Sequence, residues 1–327
     1  VVEGARLESV YSSNVIAGSN PVLSARLLLL VDTDETYERF GKIGLMTTQI
    51  DKVNKYYNST VIDYKILWTG SKDLAMHFGY FDDGVKSHQE SLIKMNEVLA
   101  KFAGIRKDDR VLDAGCGYGG TAMWLAQNVG CEVVGLTVVP YQVRKAQKVA
   151  ADRGISNKAS FHLQDYAHTS FPDSSFSVVW GLESIVHAEN KKDFIKEAYR
   201  LLKKGGRLLI AEYTLRDTPS LTDAEEGIIA PWLKGWAMPD LQTAKEYQTL
   251  LDNVGFKNIK THNITQRVQK SIYRLDKLQV LVPIAKFLTR IKLMSPEHYG
   301  NVAGGTAQSK ALKMGLWQYT VIVAEKV

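Results

Sequence analysis

The sequence predicts an α/β fold, a mainly parallel sheet with helices on both faces and a helical cap. Three observations predict it. Short apolar runs near residues 110–114, 132–137, 159–163, 176–181 and 206–213 alternate with helix-period segments, the order of a parallel sheet joined by crossover helices. The stretch RVLDAGCGYGG, Arg110–Gly120, ends an apolar run in glycines and leads into TAMWLAQNV, whose apolar residues recur at helical spacing: strand, tight turn, helix. The chain closes on GLWQYTVIVAEK, a strongly apolar final strand.

Composition sets the outer bounds. At 327 residues, 45% hydrophobic and 23% charged, the chain holds one large domain with insertions or two small ones, and the disordered, collagen-like and disulfide-knot classes are excluded. Its longest greasy run, Leu27–Val31, falls far short of the roughly 18–20 apolar residues of a membrane span. Cys116 and Cys131 lie in no CxxC pair, so neither a disulfide framework nor a metal site is expected, and a reducing, cytoplasmic setting is the default. The net charge of +6 is uneven: residues 1–45 carry four Lys/Arg against six acids, which leaves +8 on the remainder. That excess suits acidic small molecules, an anionic membrane surface or nucleic acid, or is a solvated lysine-rich surface.

Residues 1–45 show no sustained helical or alternating period and lack the basic start and cleavage pattern of a secretory signal; a targeting peptide is the sharper alternative, against which their six acids count. They read as an extension without chemistry. Met46, followed by TTQIDKVNKYYNS, reads as a natural beginning of the domain at 46–327. Residues 46–103 are expected to be helical apart from an aromatic turn, HFGYFDD at His77–Asp83, and SHQESLIKMNEVLAKFAGI is an amphipathic helix feeding the core. Residues 214–255 carry a helical insertion with Trp232 and Trp236. The segment TQRVQKSIYRLDKLQVLVPIAKFLTRIKL sets Ile272, Leu275, Val282, Leu288 and Ile291 near one side, with Lys277, Lys286, Arg290 and Lys292 interleaved. This basic amphipathic cap reads as a gate for lipid-like substrates at a membrane surface or a counter-charge for a diphosphate, against an ordinary helix pair broken at Pro283. Cap insertions are thus placed at about 46–103, 214–255 and 264–312.

Gly115, Gly117 and Gly120 satisfy GxGxxG, by itself a weak signature of a dinucleotide site. Asp113 directly precedes them, where a carboxylate repels a pyrophosphate and suits an ammonium head group. The second strand ends in Thr137, not in the acid that holds an adenosine ribose in dinucleotide folds. RLLKKGGRLLIAEY adds a basic helix end, a Gly205-Gly206 turn and a buried strand.

VLDAGCGYGG resembles the first motif of class I S-adenosylmethionine-dependent methyltransferases, and RLLKKGGRLLIAEY resembles the turn before their fifth strand. With GLTVVPYQVRKAQ, LQDYAHTSFPDSSFSVVW and GLESIVHA, five motifs match in order and spacing over about residues 60–327. The subgroup resembled is that of sterol, tocopherol and prenyl-diphosphate methyltransferases and cyclopropane-fatty-acid-synthase-like enzymes. The resemblance implies a Rossmann-like, mostly parallel seven-stranded sheet with its last strand antiparallel, and S-adenosylmethionine as cofactor.

Such a cofactor needs a seat for its amino-acid head, hydrogen bonds to its ribose and a slot for adenine. The amides around Gly115 and Gly117, with Asp113 close behind, suit the first. Thr137 and Gln142 suit the ribose, as the resemblance also implies, with a surface-helix role as the alternative for Gln142. Asp165 can accept the adenine amino group, unless it is a plain turn aspartate, and Tyr166 is a possible ring neighbour. Glu183 and His187, four apart at the start of the helix after the fourth strand, are expected to share one face at the crevice. Glu183 would face a developing cation or take a proton and His187 would act as base near neutral pH, against helix capping and a satisfied buried histidine. His77 and Tyr80 in HFGYF resemble the aromatic lid of similar enzymes, with packing alone as the alternative.

The expected activity is C- or O-methylation of a small, largely apolar acceptor such as a terpenoid, sterol, quinol or polyketide. A nicotinamide-dependent oxidoreductase on the GCGYGG turn and a binding module without turnover compete with it. GLES stands after the fourth strand where an Asn-Pro-Pro-aromatic or Asp-Pro-Pro-aromatic motif would clamp a flipped base, so nucleic acid is removed from the partners. A small lipophilic substrate, a membrane surface and a second copy of the chain remain.

Overall fold

In the sheet strands, apolar residues stand back to back. Val111, Val133, Val178 and Leu209 are buried on one face, and their neighbours Leu112, Val134, Val179 and Ile210 on the other. Successive side chains of a strand point to opposite faces, so strands this uniformly apolar must be covered on both. The computed structural model describes residues 48–61, 63–64 and 74–327. The extension read at 1–45, and Met46, lie outside the described residues.

Among the described residues one sheet runs in the order β3-β2-β1-β4-β5-β7-β6. Its strands are β1 Arg110–Ala114, β2 Glu132–Thr137, β3 Ala159–Leu163, β4 Phe176–Leu182, β5 Leu202–Leu215, β6 Lys257–Asn263 and β7 Trp317–Glu325. β1 to β5 pair in parallel and β7 is antiparallel to both neighbours, the Rossmann-like, seven-stranded arrangement expected. The chain reverses its direction of winding between β1 and β4, and ligands of open α/β sheets sit beyond the carboxyl ends of strands at that point.

Among the described residues the α-helices are α1 Gln49–Ser59, α2 His88–Phe102, α3 Gly120–Asn128, α4 Pro140–Asp152, α5 Lys191–Leu201, α6 Asp223–Gly235, α7 Ala244–Val254, α8 Thr265–Ile272, α9 Val282–Arg290 and α10 Pro296–Lys313. Capping boxes start α1 (Thr48, Asp51), α2 (Ser87, Glu90), α6 (Thr222, Glu225) and α7 (Thr243, Glu246), each satisfying end amides that no intrahelical partner reaches. None of the described helices is long and apolar enough to cross a membrane.

Four features differ from the sequence reading. β5 begins at Leu202, because the register passes from Phe176↔Leu202 to Val178↔Arg207 and the residues between, Gly205 among them at φ 74°, bulge within the strand. KNIKTHN is an edge strand whose mostly exposed residues leave no apolar alternation to read. The 214–255 insertion divides: α6 packs on α10, where a Cβ at Gly235 would stand 2.1 Å from the Gly300 carbonyl oxygen. Helix α7 instead flanks the sheet, its Tyr247 and Leu251 sharing a core with Phe194, Ile195 and Ala198 of α5. The apolar side read in the 264–293 segment divides too, since Ile272 and Leu275 join the core with Trp232, Tyr213 and Trp317 while Ile291 is exposed.

Candidate active site

Sterics force glycine into the turn after β1. Gly115, Gly117 and Gly119 adopt φ of 85°, 53° and 79°, the left-handed region that side chains disfavour. A Cβ at Gly115 would stand 2.4 Å from the Ser184 Cβ, and one at Gly117 2.9 Å from the Met76 sulfur. The turn is therefore threaded between the loop after β4 and the segment before α2. It delivers the chain to the amino end of α3, whose first amides have no intrahelical acceptor.

A cavity of about 580 Å³ opens at this turn. Every candidate cofactor-binding or catalytic residue of the sequence reading lines it except Tyr80. The chain passes tight against α2 at Gly79, where a Cβ would lie 1.8 Å from the Ser91 Oγ, and the Tyr80 amide bonds the Ser91 carbonyl at 2.8 Å. Tyr80 thus lies along α2, with the Arg267 guanidinium 5.9 Å from its ring centroid, outside the cavity's lining. His77 does reach the cavity: its Nδ1 lies 2.9 Å from the Phe78 carbonyl oxygen, its Nε2 is buried without a partner, and burial pulls its pKa down to about 4.

Asp113 is buried at the end of β1 with one carboxylate oxygen lacking any hydrogen bond, and burial pushes its pKa up to about 7. Thr137 donates to the Gln142 carbonyl oxygen at 2.6 Å and accepts from the Val139 amide at 3.2 Å. The pair is one unit that turns the Gln142 amide nitrogen into the remaining donor. Asp165 accepts from the Ala167 amide at 2.9 Å and lies 3.2 Å from the His168 Nδ1, an aspartate turn whose oxygens keep spare lone pairs. Tyr166 donates its hydroxyl to the Ser184 carbonyl at 2.9 Å and lays its ring edge-on to Phe194, so it ties the third-strand loop to the loop after β4.

Glu183 and His187 do not share an α-helical face. Glu183 has φ 50°, a 3-10 turn follows at Ile185–His187, and α5 begins only at Lys191. The physical reason is a residue the sequence reading missed. Glu212, wholly buried on β5, accepts the amides of Ser184, Ile185 and Val186 at 2.7, 2.6 and 3.4 Å on one oxygen, which fixes the tight turn. Burial, then the charge of Glu183, push its pKa up to about 8. The buried Lys191 ammonium holds the other end of the loop through the carbonyls of Val186 and Ala188 and the Asp240 carboxylate.

The Glu183 carboxylate accepts from the Phe78 amide at 2.7 Å, the Tyr319 hydroxyl at 2.7 Å and the Tyr213 hydroxyl. Tyr213 and Tyr319 are register partners across β5 and β7, which brings both hydroxyls to one acceptor. Burial raises the pKa to about 7 against the pull of those donors. His187 lies 3.0 Å from the Tyr57 hydroxyl through Nε2 and 3.3 Å from the Ala237 carbonyl through Nδ1. Burial lowers its pKa to about 4, so at neutral pH the ring is uncharged, unlike the near-neutral base expected. The one sequence signal for this network is Glu212 itself, a lone charge inside the apolar run LLIAEYTL; Tyr57, Tyr213 and Tyr319 give none. Among the described residues no cluster of three His, Cys, Asp or Glu is placed to hold a metal.

A family model described as a methyltransferase domain matches residues 112–210, from β1 into β5 and through every loop that builds the cavity's glycine wall. Residues 112–210 form a methyltransferase domain. It is 30% identical over 232 residues to the chloroplastic tocopherol O-methyltransferase of Arabidopsis thaliana, covering 66% of each chain. To the sterol 24-C-methyltransferase of Eremothecium gossypii it is 32% identical over 208 residues, 63% of this chain and 54% of the relative. The chain thus spans between about half and two thirds of the length of these curated relatives. In fold it is similar to the geranyl diphosphate C-methyltransferase of Streptomyces coelicolor A3(2), with a TM-score of 0.64, 17% identity, and 86% and 98% of the two chains covered. It is also similar to the [4+2]-cyclase SpnF, with a TM-score of 0.69, 21% identity, and 87% and 98% covered. A cyclase on this fold shows that the architecture alone does not decide the reaction.

Proposed function

We propose that the protein is an S-adenosylmethionine-dependent methyltransferase acting on a small, largely apolar acceptor by C- or O-methylation. The observation that carries this reading is the buried, unpartnered Asp113 oxygen beside the Gly115–Gly117 turn, in a cavity that also exposes Glu183. An unpaired buried carboxylate oxygen is costly, and a ligand ammonium satisfies it. The donor set fits the cofactor: Asp113 and the turn amides for the amino-acid head, Thr137 and Gln142 for the ribose, Asp165 for the adenine amino group, and Tyr166 beside it. Bound there, the cofactor supplies a methyl group on a positively charged sulfur, a leaving group already activated.

What is left to the chain is positioning and charge. Glu183 faces the reacting centre as a carboxylate whose orientation is fixed by three donors. For a carbon acceptor that becomes cationic, it supplies the opposing charge, helped by the aromatic ring of Tyr57 on the cavity wall. For a hydroxyl acceptor it takes the proton. His187, neutral and bonded to Tyr57, shapes the same wall. The named acceptors of the relatives, a tocopherol, a sterol and geranyl diphosphate, support the lipophilic class. The test is transfer of labelled methyl from S-adenosylmethionine to a panel of a phenolic chromanol, a sterol and a prenyl diphosphate. Labelled product from one of them is the expected result; tight cofactor binding with no transfer to any lipophilic acceptor would reject the acceptor class.

A further inference from the structure

Six of the ten exposed large hydrophobic side chains among the described residues fall within fourteen residues, Val280, Leu281, Ile284, Phe287, Ile291 and Leu293. In and at the end of α9, Ile284, Phe287 and Ile291 recur at i, i+3 and i+7, one helical face, with Phe287 60% exposed. The helix rests on the rest of the cap through Ala285, the residue of α9 that is buried. A face of this size and chemistry turned to water needs a partner.

Charge says which. Residues 265–293 hold seven Lys/Arg and one acid, a formal +6 equal to that of the whole chain. The single acid, Asp276, is turned inward, bonded to the Ser309 hydroxyl at 2.5 Å and the Lys313 ammonium at 2.6 Å of α10. Lys277, Lys286, Arg290 and Lys292 make no ion pair among the described residues, so the rim of the apolar face is uncompensated positive charge. A second copy of the chain would bring the same positive rim against it, whereas an anionic bilayer offers both an apolar interior and opposite charge. Helix α10 packs against both α9 and α1, and α1 contributes Gln49, Val53 and Tyr57 to the cavity wall.

We infer that α9 and the residues flanking it dock this protein on an anionic lipid surface, with Ile284, Phe287 and Ile291 entering the acyl boundary and Lys286, Arg290 and Lys292 at the headgroups. The inference stands on the surface itself and does not require the proposed reaction. Co-sedimentation with vesicles of phosphatidylcholine alone, or mixed with phosphatidylserine, tests it at low and high salt. Wild type should bind the mixed vesicles, release in high salt, and bind phosphatidylcholine weakly. Ile284→Ser with Phe287→Ser should weaken binding about 10-fold or more, and Lys286→Gln with Arg290→Gln about fivefold per charge. Both double variants should keep the wild-type melting temperature and cofactor affinity, since they alter exposed residues only. Equal binding to both vesicle types, or unchanged binding by the Ile284/Phe287 variant, overturns the inference. A dimer in sedimentation velocity that the same variant dissociates also overturns it and assigns the face to a second copy.

Discussion

Replacing Glu212 separates its role as an acceptor from its role as a charge. Its one bonded oxygen takes two close amides, from Ser184 and Ile185 at 2.7 and 2.6 Å, and a longer one from Val186. Glu212→Ala strands the two close donors in a dry interior at about 1–3 kcal/mol each, about 2–6 kcal/mol together. At about 2 °C per kcal/mol for a chain of this size, that is a fall of roughly 4–12 °C in melting temperature. Glu212→Gln keeps the acceptor and removes the ionisation. A buried carboxyl whose folded pKa is raised to about 8 holds its proton longer than in the unfolded chain. The folded state therefore loses stability as pH rises from the unfolded carboxylate range through about 8. Glu212→Gln should melt at or above wild type in mildly alkaline buffer, with a flatter dependence on pH. Differential scanning calorimetry of both variants across that window checks this. An alanine variant as stable as wild type would show that Glu212 does not hold the turn, and a glutamine variant with the wild-type pH slope would show that its ionisation does not set the pH dependence.

Glu183→Gln should lose at least about 100-fold in turnover while binding cofactor normally, the scale of a lost general base or counter-charge, with a smaller loss in His187→Ala. Wild-type turnover should rise with pH through about 7 as Glu183 ionises, and a flat profile in a pre-steady-state assay would contradict its role. Affinity for S-adenosylhomocysteine should fall as pH drops through about 7, because Asp113 then takes a proton and no longer attracts the head-group ammonium; titrations at a series of pH values read this, and Asp113→Asn should abolish the dependence. Removing residues 1–45 should leave cofactor affinity and melting temperature near wild type, since that stretch lacks the apolar period needed to dock on a core.

The glycine turn and the first three strands were legible because each has a local cause. Gly115 and Gly117 sit where φ is positive, and β1 to β3 are apolar runs bounded by turn residues. The loop after β4 was not. GLESIVHA carries a helix-like spacing, yet three of its amides are bonded to Glu212, 26 to 28 residues away in sequence, and that long-range acceptor overrides local preference. The convergence of Tyr213 and Tyr319 on Glu183 depends on the β5–β7 register, which no period in either strand encodes. Tyr80 falls outside the cavity lining for a related reason: nothing in HFGYF shows that the chain packs on α2 there, which only the contact of Gly79 with Ser91 reveals.

The proposed function places S-adenosylmethionine on the glycine turn and Asp113. Isothermal titration with S-adenosylhomocysteine tests it most directly, on wild type, Asp113→Ala and Gly115→Val, with a nicotinamide dinucleotide as competitor. Wild type should bind at one site; Gly115→Val, whose side chain would collide with Ser184 at a φ of 85°, should not bind, Asp113→Ala should lose most affinity, and the dinucleotide should not compete. No binding by wild type, unchanged affinity in both variants, or displacement by the dinucleotide would contradict it.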